Sequence, residues 1–220
     1  KRTAQYEDSQ QQLDRLSYYD SLTGLPNRIL ARDRFLQAYA LAKRNNRMVG
    51  LLYVDMDHFK AVTDTYGHNT GDQMLVAIGH RLLQSVRQSD TVSHIGGDEF
   101  LLIIGELNAA TDLHVVVQQV LKNISEPMIF GDQELIFTAS VGISYAPVDG
   151  EDFDELLKKS DVAMFRSKEQ GRSCFNFYDK GLAANLLQDI AMATELRQSI
   201  ELQQLELYFQ PKVRLSDNVV

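Results

Sequence analysis

The chain has 220 residues and a mass of 24.9 kDa, with 44% hydrophobic and 24% charged residues, which suits one globular domain with flanking pieces. Thirty Asp and Glu against 22 Lys and Arg leave a net charge of −8. That excludes a broad basic surface for nucleic acid and requires any anionic ligand to be held by a few local cations or a metal. A single cysteine, Cys174, excludes an intramolecular disulfide framework and a Cys-cluster zinc site, and is compatible with a reducing compartment.

The opening KRTAQYEDSQQQLDRL carries no apolar signal core, and the longest apolar runs, 48–54 and 100–104, are far too short to span a bilayer. The expectation is a cytoplasmic piece of a longer protein, with no membrane contact of its own and room for a sensor or membrane anchor upstream. Residues 1–19 are polar and Gln-rich; Tyr6, Leu13 and Leu16 stand at heptad spacings open to a self-pairing helix or to a solvated linker helix. DSLTGLPNR (20–28) breaks that pattern, so a domain starts here, with Asn27 placed to cap a helix over 28–45.

VGLLYVD (49–55) predicts a strand buried on both faces that ends in an acidic residue. A Gly-rich stretch at 66–71 precedes a helix over about 72–88, with Met74, Leu75, Ile78, Leu82 and Val86 on one face. Strands over 91–95 and 99–104 join at Gly96-Gly97, a dipeptide that tolerates positive φ. A helix over 109–125, a strand over 135–145, a helix over 153–170 and a strand over 174–178 complete an α/β domain, a sheet with helices on its faces and one internal hairpin. Beyond residue 179 a helix over about 182–202 and an alternating segment at 205–215 predict the first elements of a second domain.

No G-x-x-x-x-G-K-[ST] loop, G-x-G fingerprint, H-E-x-x-H pair or G-x-S-x-G elbow occurs. Two acidic clusters remain. Asp55-Met56-Asp57 lies where the buried strand ends, with alternation placing both carboxylates on one side of the chain. Asp98-Glu99 follows the Gly96-Gly97 turn. If strand and hairpin are neighbours, the carboxylates converge on one point and call for a divalent cation, Mg²⁺ or Mn²⁺ by the hardness of oxygen ligands. Taken singly, each cluster is equally readable as a helix cap and a polar turn.

Together the motifs resemble one family. GGDEF (96–100) is the signature of the GGDEF diguanylate cyclases, and DSLTGLPNR, VDMDHFKAVTDTYGHNTGDQML (54–75), FTASVGIS (137–144) and SDVAMFRSKEQGR (160–172) resemble its other segments in order. The resemblance covers about 20–179 and implies a central mixed, mostly antiparallel sheet of nucleotidyl-cyclase or polymerase-palm type, with the signature on a β-hairpin. It implies a homodimer joining two GTP into cyclic di-GMP with release of pyrophosphate. On that resemblance the metal ligands are Asp55, the Met56 carbonyl and Asp98, with Glu99 either a further ligand or the base. Gly96 and Gly97 make room for phosphates, Lys168 and Arg172, four apart on one helix face, bind the triphosphate, and Asp72 reads guanine. Arg87 and Asp90 form an R-x-x-D placed where the family binds inhibitory product.

Two positions depart from the family pattern. Thr63 replaces an Asn that contacts guanine, and His94 replaces an Arg, which puts the local salt-bridge network in question. The segment 189–215, with FQP at 209–211, resembles the start of an EAL phosphodiesterase domain, so residues 180–220 read as a connecting helix and first strand of a truncated second domain. The alternative to an active cyclase is a catalytically weak or inactive domain that binds GTP or cyclic di-GMP and regulates an attached phosphodiesterase.

Overall fold

The structure is a computed structural model that describes residues 17–130 and 133–179. The elements expected at 1–16 and 180–220 lie outside the described residues. Strand β1 (Met48–Met56) is buried along nearly its whole length because it is paired on both edges. It runs antiparallel to β3 (Glu99–Leu107) on one side and to β6 (Ala139–Ala146) on the other. β2 (Thr91–Gly96) lies outside β3 and β7 (Phe175–Phe177) runs parallel to β6, giving a five-stranded mixed sheet of order β2-β3-β1-β6-β7.

Alternation along β1 and β3 divides the core into two layers. Leu52, Val54, Phe100 and Leu102 face α3 (His68–Ser85) and α4 (Thr111–Ser125), packing with Met74, Ile78, Leu82, Val117 and Val120. Val49, Leu51, Tyr53, Leu101 and Ile103 face α1 (Arg28–Asn45) and α5 (Phe153–Glu169), packing with Phe35, Phe153 and Leu156. The expected α/β class, mixed sheet and internal hairpin are all present.

Helix α1 spans the expected residues, its first turn capped by Asn27, whose side-chain oxygen accepts from the amides of Ile29 and Leu30 at 3.0 and 3.2 Å. Elsewhere the boundaries shift. The Gly-rich stretch at 66–71 belongs to two helices except at Gly67: α2 (Phe59–Tyr66) and α3 meet at that single residue, whose φ of 85° lets one helix end and the next begin. α3 therefore starts at His68 instead of 72 and stops at Ser85, because Val86 is extended. The strand expected over 135–145 divides in two. β5 (Gln133–Leu135) pairs with β4 (Met128–Phe130) in a separate hairpin, and β6 begins only at Ala139, after Phe137 turns into the core against Phe130.

A helix comes into backbone contact with the sheet at Gly142. A Cβ there would lie 1.9 Å from the Ser160 carbonyl oxygen and 2.1 Å from the Met164 amide nitrogen, both backbone atoms of α5. The helix is further tied down by Ser144 Oγ donating to the Leu156 carbonyl and Ser167 Oγ donating to the Val141 carbonyl, both at 2.8 Å. Among the described residues no helix is long and apolar enough to cross a membrane.

This packing makes a contrast between two glycines of the sheet. Gly142→Ala forces α5 off β6 and is expected to destabilise by about 3 kcal/mol or more, at the upper end for overpacking. Gly105→Ala, where a Cβ meets nothing within 4 Å, is expected to stay within about 0.5 kcal/mol of the wild type. Urea unfolding of both variants checks the pair.

Candidate active site

The end of β1 and the β2–β3 turn are brought together by strand register. Asp55 lies opposite Glu99, and the Met56 amide donates to the Asp98 carbonyl at 3.2 Å, so Asp55 and the Asp98-Glu99 pair meet at one end of the sheet. Gly96 pairs with Glu99, leaving Gly97-Asp98 as the turn. Gly96 and Gly97 adopt φ of 140° and 60°, and a Cβ at either would meet nothing within 4 Å. Glycine is required here for backbone conformation, and the space above the turn is open.

Asp55 is 6% exposed. Burial is the chief influence that pushes its carboxyl up to about 6; the nearby Asp98 and Glu99 charges push the same way, against the opposing pull of Lys168. Lys168 Nζ donates to Asp55 Oδ2 at 2.7 Å, bringing α5 to the end of β1. Tyr53, one step back on the same face, is held well above the usual phenol range by burial and by the Glu99 carboxylate it faces.

Arg172 is placed differently from the expectation. α5 ends at Glu169, so Lys168 and Arg172 do not share a helix face. Gly171, Arg172 and Ser173 instead form a turn with φ of 111°, 64° and 51°, and Arg172 is exposed on it. The helix cannot continue through three residues of positive φ.

Thr63 and Asp72 lie on the α2–α3 pair, where the Thr63 methyl would be 2.6 Å from a Cβ on Gly71. The Thr63 hydroxyl donates to the Lys60 carbonyl at 2.9 Å within its own helix. Asp72 is exposed in the first turns of α3. Arg87 and Asp90 sit apart from these residues, on the α3–β2 connection. The Asp90 carboxylate accepts from the Arg87 amide at 3.0 Å and from the Gly105 amide at 3.2 Å, tying the connection to β3, while the Arg87 side chain is exposed.

His94 preserves a link where the family pattern has arginine. Its ring is buried against Phe100, with Nδ1 3.1 Å from Asp20 Oδ1 and Nε2 3.0 Å from the Gly97 carbonyl oxygen. Burial alone would raise the Asp20 carboxyl, but hydrogen bonds from Thr23 and the proximity of His94 outweigh it and hold it below the usual carboxylate range. The segment 20–25 is thereby joined to the glycine turn.

Among the described residues, no three His, Cys, Asp or Glu side chains are gathered closely enough to cage a cation alone. The donor chemistry still suits Mg²⁺ or Mn²⁺, which bind through one or two carboxylates and complete their shell with water and substrate phosphates. Asp55 and Asp98, near enough for their charges to repel, are hard oxygen donors of that kind, and Lys168 pairs with the buried Asp55 carboxylate. Asp57, expected to converge with Asp55 on one cation, is instead taken up by the Thr-x-Ser of FTASVGIS: the hydroxyls of Thr138 and Ser140 both donate to its carboxylate at 2.7 Å.

Comparison with known proteins agrees with this geometry. The family model described as "Diguanylate cyclase, GGDEF domain" matches residues 17–174. MucR of Pseudomonas aeruginosa, a bifunctional diguanylate cyclase/cyclic di-GMP phosphodiesterase, is 40% identical over 92% of this chain and 29% of its own length. NbdA of the same species, a cyclic di-GMP phosphodiesterase, is 36% identical over 94% of this chain and 26% of its own. The chain thus spans less than a third of either relative. A solved structure of TpbB from P. aeruginosa comprising only its GGDEF domain superposes with a TM-score of 0.74 at 29% identity, covering 77% of this chain and 99% of that one. With the signature on its hairpin, the acidic strand end beside it and a family match across the described domain, this chain belongs to the GGDEF diguanylate cyclase family.

Proposed function

We propose that residues 20–179 form a GGDEF domain that condenses two GTP into cyclic di-GMP and two pyrophosphates across a homodimer. The observation that carries this is the buried Asp55 carboxylate, set opposite Glu99 and beside the Asp98 turn with Lys168 at 2.7 Å. That is a compact arrangement of oxygen donors and one cation where a metal-bound triphosphate would sit. In this reading Asp55, the Met56 carbonyl and Asp98 hold Mg²⁺ or Mn²⁺. The bound ion neutralises the triphosphate and lowers the pKa of a bound hydroxyl.

The protein's own groups do the rest. Gly96 and Gly97 let phosphate oxygens reach the backbone, while Lys168 and Arg172 supply positive charge for the polyphosphate in a protein of net charge −8. Glu99 is close enough to accept the 3′-hydroxyl proton or to join the ligands. Asp72 accepts from guanine N1 and the exocyclic amine. Two protomers must face each other, because each holds one GTP and the two 3′-hydroxyls attack across the interface. Arg87 and Asp90 form a product-binding inhibitory site. Residues 1–19 serve as a linker to an upstream signal, and 180–220 belong with a downstream EAL domain.

A second reading rests on Thr63. Its hydroxyl is committed to the Lys60 carbonyl, so it offers guanine less than an amide would. A GGDEF domain with weakened guanine contact that binds GTP and regulates a phosphodiesterase accommodates that observation, and the similar NbdA is a cyclic di-GMP phosphodiesterase.

Turnover separates the two. Purified chain at high concentration with GTP and Mg²⁺, and a phosphodiesterase added to remove product, is expected to form cyclic di-GMP. Chelation by EDTA and the double variant Asp98→Ala, Glu99→Ala are each expected to remove at least about 99% of product, the scale of losing metal-assisted chemistry. GTP binding without any product from a crosslinkable dimer selects the regulatory reading. For the inhibitory site, Arg87→Ala is the informative variant, because Asp90 also supports the backbone of β3. It is expected to raise the cyclic di-GMP concentration for half-inhibition by about tenfold or more, as for a lost charge-assisted contact, with the uninhibited rate unchanged.

A further inference from the structure

Asp57 stands two residues beyond Asp55 yet belongs to a different network. It is 5% exposed, and its carboxylate accepts from Thr138 Oγ1 and Ser140 Oγ at 2.7 Å and from the Ser173 amide at 3.0 Å. Its own amide donates to the Thr138 carbonyl at 2.9 Å. An ionised carboxylate has about four acceptor sites. Neutral donors therefore occupy most of its acceptor capacity, and the side chain is held by hydrogen bonds from two other segments of the chain.

One of those segments is the turn that carries Arg172. Arg172 and Ser173 both have positive φ, 64° and 51°, a conformation that non-glycine residues keep only when their surroundings impose it. The Arg172 amide is held by the Ser167 carbonyl at 3.1 Å, so α5 anchors one side of the turn. The Ser173 amide is held by Asp57 Oδ2, so the end of β1 anchors the other. Beyond it the Cys174 carbonyl accepts from the Val141 amide at 3.0 Å, where the chain joins β6. Arg172 is thus fixed between two points, and one of them is a buried carboxylate two residues from the candidate site.

We infer that Asp57 is a positioning residue that locks the 171–173 turn and so sets where the Arg172 guanidinium is presented to a polyphosphate. What Arg172 binds rests on the proposed GTP site; how the turn is held does not.

Asp57→Asn tests this, since it keeps the size but turns one acceptor oxygen into an NH₂ facing a donor. In hydrogen exchange on the full chain, the amides of Ser173 and Cys174 are expected to exchange at least about tenfold faster, the scale of losing a charge-assisted hydrogen bond, with β1 and β3 still protected. By calorimetry with GTP and Mg²⁺, affinity is expected to fall about tenfold, and in turnover KM is expected to rise more than kcat falls. Arg172→Ala should cause a similar loss, and the double variant should bind no worse than the weaker single one, because both remove the same contact. Unchanged exchange at 173–174, or losses that multiply in the double variant, overturns the inference. If the wild type neither binds nor turns over GTP, the proposed function fails, while the exchange result still decides whether Asp57 holds the turn. Should Asp57→Asn not fold, Thr138→Val takes one hydroxyl from Oδ2 and is expected to produce a smaller change of the same sign at 173–174; no change there overturns the inference equally.

Discussion

The absence of a side chain at residue 142 governs how this domain is put together. With only a hydrogen at Gly142, the backbone of α5 comes against the backbone of β6 at a distance no Cβ would permit. Ser144 and Ser167 then use that closeness, each donating to a carbonyl on the facing element. A helix held so low over the sheet carries its last turn to the end of β1, and Lys168 meets Asp55 there. The candidate site therefore depends on a packing contact in the middle of the domain, as expected where interiors are close-packed and transmit displacement rather than absorb it.

Electrostatics at the strand end follow from burial. Asp55 loses water because β1 is paired on both edges and covered by helices, and desolvation favours its neutral form. Two more carboxylates nearby add repulsion, and one lysine offsets part of it. A cluster in this condition gains from any added positive charge, whether a lysine or a divalent ion accompanied by phosphate. Asp57 is buried in a different way, with its oxygens taken by neutral donors from other segments. Two aspartates in a D-x-D pattern thus have opposite surroundings and different work.

The His94 ring adds a mechanical link. It reaches from Asp20, in the segment that precedes α1, to the carbonyl of Gly97 in the turn beside Asp98. The glycine turn needs such support, since its positive φ values leave it few intrinsic constraints. Histidine makes contact with both partners from a buried position packed on Phe100.

Much of this was legible in the residues alone. The apolar run that ends in Asp55, the cap at Asn27 and the Gly-Gly turn are local patterns that determined β1, α1 and the hairpin, while the ordered family motifs carried the sheet; the meeting of Asp55 with Asp98-Glu99 followed only once β1 and β3 were neighbours. Other features needed the tertiary structure. That 66–71 is shared between two helices turned on one positive φ at Gly67, and that Arg172 leaves the helix turned on a run of positive φ at 171–173; neither is encoded by hydrophobic period. The partners of Asp57 come from residues 138, 140 and 173, and Lys168 reaches Asp55 from α5. Such contacts are chosen by how elements pack, and a sequence read along its length carries spacing but not the distances between segments that folding brings together.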